Sequence, residues 1–210
     1  FYFGNILMKR GVVLMKKEVT DIVFLLDRSG SMSGLENDTI KSYNNYLERM
    51  KSQNVRVTTV LFDDKYEFVT EQTNIKNIKK MDKRIYYTRG STALLDAIGK
   101  TIKYLDLINP KKVLFIITTD GYENSSIEYS KNMIKKLIEN HNNWEFIFLG
   151  ADIDSYTEAC SIGIKKNRIS NYCKSKKGIK KVFDRLKNLS EMYYESNCIS
   201  EDWNDGLEDD

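Results

Sequence analysis

Residues 22–34 read Ile-Val-Phe-Leu-Leu-Asp-Arg-Ser-Gly-Ser-Met-Ser-Gly, an apolar run that stops at a carboxylate. The run Ile22–Leu26 has no polar alternation and is rich in β-branched and aromatic residues. A strand covered on both faces, as in a parallel sheet, has this composition. Two more such runs follow, Val113–Ile117 (VLFII) and Phe146–Leu149 (FIFL). Val55–Phe62 begins with alternation, turns at Asp63-Asp64-Lys65 and continues as Tyr66–Thr70. That pair predicts a hairpin, and so one antiparallel strand at a sheet edge.

Helical spacings separate the strands. Ile40, Tyr43, Leu47 and Met50 step by three and four, as do Leu95, Ile98, Ile102 and Leu105. Ile127, Ile134, Leu137 and Ile138 are expected to share one face, and Ile179, Val182, Phe183, Leu186 and Leu189 mark a closing amphipathic helix. Ser155 with Glu158 reads as a capping box on a short helix over 155–161. Strands alternating with helices predict an α/β fold, a doubly wound and mostly parallel sheet with helices on both faces. Ligands of such sheets bind beyond the carboxyl ends of the strands, where strand order reverses. The residues after Leu26, Thr119 and Gly150 are therefore the ones that matter.

Three loops, two of them among these, offer oxygen donors. Asp27, Ser29 and Ser31 fall at every second residue, and Gly30 and Gly34 let the loop bend. Arg89-Gly90-Ser91-Thr92-Ala93-Leu94-Leu95-Asp96 opens a helix with a hydroxyl pair, and Thr118-Thr119-Asp120-Gly121 puts a second carboxylate at a strand end. Neither thiolate nor imidazole accompanies them. Such a set suits a hard divalent cation, Mg²⁺ or Mn²⁺ before Ca²⁺, with water completing the shell. Arg28 fits neither metal nor core by pattern and is available to a partner's carboxylate. Asp63 and Asp64 read as turn residues, Asp152 and Asp154 as helix caps, and Glu123 and Asn124 as rim or turn residues.

The D-x-S-x-S loop, the G-S-T-A-L-L-D-A segment and the T-D-G turn, in that order, together resemble a von Willebrand factor type A domain. The resemblance spans residues 18–195 and is nearest to small stand-alone bacterial members of the family. It implies the strand order 3-2-1-4-5-6 with strand 3 antiparallel, and a complete metal-ion-dependent adhesion site. On that resemblance Ser29 and Ser31 would bind the metal directly and Asp27 directly or through water. Thr92 would be the ligand of the second loop, and Asp120 the carboxylate of the third. A protein partner would complete the shell with an Asp or Glu side chain.

Composition narrows the remaining readings. The 210 residues are 41% hydrophobic and 30% charged, the balance of a folded domain. One histidine, His141, disfavours a His-rich metal site, and three scattered cysteines disfavour a disulfide framework. No apolar run is long enough for a membrane span. With no secretory signal either, cytoplasm is the expected location. The net charge of +3 conceals an acidic end: residues 201–210 carry six acids and no base, which leaves 33 bases against 24 acids on residues 1–200. The basic body makes membership of a nucleic-acid-binding assembly the main alternative to protein capture. A phosphoryl-transfer enzyme is weaker, because Ser29 stands where a haloacid-dehalogenase-like phosphatase needs a second Asp, and no phosphate-binding glycine loop follows a strand. No residue is poised for catalysis, so a binding module rather than an enzyme is expected. Residues 1–17 read as an N-terminal extension containing at most an added edge strand, and residues 196–210 as a mobile acidic tail.

Overall fold

The computed structural model describes residues 6–9, 12–15 and 18–209. Strands β3 (Thr20–Asp27), β4 (Val55–Phe62), β5 (Tyr66–Asn74), β6 (Val113–Thr119), β7 (Glu145–Gly150) and β8 (Ile169–Asn171) form one sheet. Its order is β5-β4-β3-β6-β7-β8. Counted from the first strand of that sheet, this is 3-2-1-4-5-6. Only the β4–β5 pair is antiparallel. The expected hairpin is therefore the sheet edge. The strand between residues 169 and 171 is too short for any periodicity, and its sequence gives no strand signal.

Helices α1 (Glu36–Met50) and α5 (Lys176–Ser196) cover one face; α2 (Leu94–Ile108), α3 (Lys131–Asn140) and α4 (Ser155–Ser161) cover the other. The period of two in β3 divides its side chains between them. Ile22, Phe24 and Leu26 join Tyr43, Tyr46 and Phe183, whereas Val23 and Leu25 join Ile98, Ile102 and Ile134. Phe24 meets Tyr43 and Tyr46 edge-on at 5.6 and 5.0 Å, a favoured geometry for aromatic rings. Every residue of β3 is buried, which explains why its sequence shows no alternation. Strand order reverses at β3: the chain runs outward to β4 and β5, then crosses back to β6 on the other side. The loops after β3 and β6 thus bound the crevice of a doubly wound sheet.

Several local expectations are corrected. Ile127 lies outside α3 and is 91% exposed, since the helix starts only after Ser130, whose hydroxyl accepts the Met133 N–H. Asp154, not Ser155, caps α4 by accepting the Thr157 N–H, and Ser155 is buried. The N-terminal strands β1 (Ile6–Lys9) and β2 (Val12–Met15) pair with each other and add no edge strand to the main sheet. The C-terminal segment is not a mobile tail through residue 209. Ile199, Trp203 and Leu207 are buried in the α1–α5 core, and the Trp203 indole N–H donates to Asn167 O at 3.0 Å. Their spacing by four puts three apolar anchors among the acids, so hydrophobic burial outweighs the polarity of the segment. Among the described residues no helix is long and apolar enough to cross a membrane.

Candidate metal centre

The three oxygen-bearing loops meet at the carboxyl ends of β3 and β6. Asp27 is the last residue of β3, and a single 3₁₀ turn, Gly30–Met32, follows it. Ser29 and Ser31 come to lie with their hydroxyls 2.9 Å apart. Ser31 donates to Asp120 Oδ1 at 2.5 Å. Thr92 precedes α2, and its backbone is gripped on both sides by Asn124: the Thr92 N–H donates to Asn124 Oδ1 and Thr92 O accepts the Asn124 N–H. Gly30 N–H donates to Gly90 O at 3.1 Å and so ties the first loop to the second.

Gly121 shows how tightly the donors converge. A Cβ built there would stand 2.9 Å from Thr92 Oγ1, 3.4 Å from Ser31 Oγ and 3.8 Å from Ser29 Oγ. Three hydroxyls from two loops thus face one point beside Asp120, an oxygen-lined cradle that a side chain at 121 would fill. Asp27, Ser29, Thr92 and Asp120 are buried, and Ser31 is exposed and opens the cradle to solvent. Two carboxylates and three hydroxyls suit a hard divalent ion. Among the described residues no group of three or more His, Cys, Asp or Glu forms a metal cage. The candidate centre therefore depends on its neutral hydroxyls.

Asp27 is held rigidly. Its Oδ1 accepts the Ser29 N–H at 2.6 Å, its Oδ2 accepts the Thr119 hydroxyl at 2.6 Å, and its backbone oxygen accepts the Tyr86 hydroxyl at 2.6 Å. Burial pushes the Asp27 carboxyl up to about 6, against the downward pull of hydrogen bonds from Thr119 and Ser29. Burial also pushes the Tyr86 and Tyr172 phenols well above their ordinary range, so both rings are neutral neighbours. Thr119 and Tyr86 are supporting residues: the T-D-G motif includes Thr119 but does not give its bond to Asp27, and no motif includes Tyr86. Thr119 belongs to a strand and Tyr86 lies 59 residues from the carbonyl it bonds.

Residues beside the motif have other duties than the sequence suggests. Arg28 is fully buried and does not face solvent as a ligand for a partner. Its Nε donates to Asp63 Oδ2 at 2.9 Å and its Nη2 lies 2.9 Å from Glu67 Oε1. Asp63, expected to be a simple turn residue, is buried and is shared with Arg89 at 2.7 Å. Glu123 caps the start of α2 by accepting the Leu95 N–H and also holds Ser125 and Ser126. Asp152 and Lys174 stand at the far side of Asp120: Lys174 Nζ is 2.9 Å from Asp120 Oδ2 and 3.6 Å from Asp152 Oδ2. Lys174 precedes a helix in a lysine-rich stretch, where nothing in the sequence separates it from its solvated neighbours.

A doubly wound sheet with an oxygen-lined cradle at its switch point defines an α/β domain of the Rossmann-like kind. A family model described as von Willebrand factor type A domain matches residues 21–189. The chain belongs to that family. Among solved structures it is similar to proximal thread matrix protein 1 (PTMP1) from the mussel byssus, at 19% identity over 82% of this chain and 46% of that one, with a TM-score of 0.63. It is also similar to the pilus adhesin SpaC from Lactobacillus rhamnosus GG, at 13% identity over 81% of this chain and 30% of that one, with a TM-score of 0.65. A form of PTMP1 described as having a zinc-occupied metal-ion-dependent adhesion site matches at 16% identity over 83% of this chain and 46% of that one, with a TM-score of 0.57. At these identities the likeness shows the fold. The chain spans less than half the length of these proteins. No curated protein matches it.

Proposed function

We propose that this domain is a divalent-metal-dependent protein-binding module. Asp27, Ser29, Ser31, Thr92 and Asp120 would hold the ion, and a partner's Asp or Glu side chain would complete its shell. The observation that carries this reading is the convergence of the Thr92, Ser31 and Ser29 hydroxyls beside Gly121 and Asp120. Oxygen donors favour Mg²⁺ or Mn²⁺, with Ca²⁺ as the larger alternative. The zinc described for PTMP1 supports occupancy of such a site by a divalent ion in the family. When bound, the ion supplies the charge that attracts an acidic ligand. The chain's own contribution is to present uncharged hydroxyls, which coordinate the ion without adding negative charge to that of the two carboxylates. Buried Asp27 and Asp120 anchor it from below and exposed Ser31 marks the face from which a partner approaches.

The structural relatives include an adhesin and a thread matrix protein, which fits binding rather than catalysis. Exposed free thiols at Cys160 and Cys198 fit a reducing compartment and so a cytoplasmic member of the family. Capture of nucleic acid by the basic body remains the competing reading, and its signature is binding that falls steeply with salt and ignores chelators.

Mn²⁺ titration by calorimetry tests the metal. The protein is expected to take up one ion per chain. Asp120→Ala removes a donor and should abolish uptake. Gly121→Ala leaves every donor in place but puts a methyl 2.9 Å from Thr92 Oγ1, and should weaken uptake by at least about tenfold. Uptake by wild type and both variants alike would refute the assignment. Capture from a lysate in Mg²⁺ and in EDTA, with Asp27→Ala as control, tests the partner. A ligand retained equally in all three would sink metal-dependent capture.

A further inference from the structure

The two oxygens of Asp120 face different neighbours. Oδ1 accepts the Ser31 hydroxyl on the side of the candidate metal position. Oδ2 is buried, has no hydrogen bond of good geometry, and lies 2.9 Å from the ammonium of Lys174. That lysine comes from the loop between β8 and α5, at the same end of the sheet and two strands across from β6. The loop is built to hold it. Tyr172 N–H donates to Gly150 O at 2.9 Å, Cys173 N–H donates to Leu207 O at 3.3 Å, and Ser175 N–H donates to Cys173 O at 2.8 Å. Ser175 also caps α5 by accepting the Gly178 N–H. The backbone on both sides of Lys174 is therefore fixed by bonds that do not involve its side chain. Asp152, the other carboxylate within reach, is 3.6 Å away and its side chain is 65% exposed, so solvent screens it.

We propose that Lys174 is a resident counter-charge of the metal centre, one that lowers its affinity for the ion and leaves the loaded centre with an unmet demand for one carboxylate. The proposal rests on the metal reading above. The charge count is direct. Asp27 and Asp120 alone would neutralise a divalent ion, and the filled centre would have no net charge to offer a partner. With the Lys174 ammonium on Asp120 Oδ2, the same centre filled by the same ion carries one net positive charge. A single Asp or Glu from a partner cancels it. Lys174 thus trades metal affinity for attraction of an acidic ligand, without touching either. One unit of like charge beside a ligand oxygen, in a partly exposed site, is worth on the order of tenfold in affinity, about 1.4 kcal/mol.

The test is Mn²⁺ calorimetry on wild type, Lys174→Met, Lys174→Arg and Asp120→Ala, with near-ultraviolet circular dichroism to confirm that each is folded. Lys174→Met keeps the aliphatic stem and loses the charge, and should bind Mn²⁺ on the order of tenfold more tightly. Lys174→Arg keeps the charge and should stay within about twofold of wild type. Unchanged or weaker binding by Lys174→Met would overturn the proposal, and weaker binding would make the lysine a mere prop for Asp120. Uptake by Asp120→Ala equal to wild type would mean that the metal reading has failed, and the counter-charge with it. Loss in Asp120→Ala with no gain in Lys174→Met would sink the counter-charge alone.

Discussion

Replacing Asp63 with alanine is expected to destabilise the domain by about 3 kcal/mol, the largest effect of any single side chain near the rim. The reason is Arg28. Its side chain is fully buried, and Asp63 is its only fully buried counter-ion among the described residues. Glu67, its other partner, is 47% exposed and is shared with Arg89 at 2.7 Å. Hydrogen bonds from Arg28 and then Arg89 hold the Glu67 carboxyl down at about 2, so it stays charged but screened. Deleting Asp63 leaves a guanidinium in the interior with half its compensation, and an uncompensated buried charge is far costlier than a missing surface pair. Asp63 Oδ1 also accepts the Lys65 N–H at 2.6 Å, a turn bond that alanine cannot replace. Urea unfolding should show a lower midpoint with an unchanged slope. The double variant Arg28→Met/Asp63→Leu removes both charges and should recover much of the loss, because apolar replacements of buried pairs are often neutral or better. A loss below about 1 kcal/mol for Asp63→Ala would show that Glu67 and water suffice for Arg28. The same variant should weaken metal uptake at the proposed centre, since Arg89 N–H donates to Arg28 O and Ala93 N–H to Asp63 O, so the network sets the spacing of the first two oxygen-bearing loops.

That network also shows where sequence reasoning ends. The donors Asp27, Ser29 and Ser31 are legible because a local period of two puts them on one side of one loop. Asp120 stands out because it ends a strongly patterned strand, and the Ser91-Thr92 pair because it opens a patterned helix, but only the family resemblance selects Thr92 from that pair. Arg28 sits between two of these residues, yet its role depends on Asp63, 35 positions away, and on Glu67 beyond it. No local pattern encodes that pairing. Lys174 is hidden for the same reason. Its place beside Asp120 arises only when β7 and β8 bring the loop after β8 to the rim. The C-terminal segment misleads in a different way. Its six acids suggest a solvated tail, and three apolar residues at intervals of four decide otherwise. Composition averages over the residues that matter most, and burial of one indole outweighs several exposed carboxylates.

Metal-stripped protein should lose stability as pH rises from 4.5 to 7, and Mg²⁺ should abolish that loss. The unfolded Asp27 carboxyl titrates near the ordinary value of about 3.9. In the fold its value is about 6, because burial penalises the charged form. Between these values the native chain holds a proton that the unfolded chain has released. Stability from this group is therefore fully present below about 4 and is lost as pH climbs through 6. A shift of about two units corresponds to about 3 kcal/mol. The neighbours do not offset it: Asp120 adds like charge, the buried Tyr86 and Tyr172 phenols stay neutral, and Lys174 is engaged by Asp120. Asp27→Asn removes the titration and should flatten this part of the profile, which separates Asp27 from Asp21, whose burial pushes it in the same direction. In the proposed centre a divalent ion would take the place of the proton. Saturating Mg²⁺ at about 100 times its dissociation constant should add about 2.7 kcal/mol at pH 7. The gain should shrink toward pH 5, where proton and metal compete for the same carboxylate. Urea midpoints at pH 5 and 7, with and without Mg²⁺, decide the matter. An equal Mg²⁺ gain at both values would mean that the ion does not displace a proton from Asp27, and a flat metal-free profile would mean that the buried carboxylate is satisfied by Thr119 and Ser29 alone.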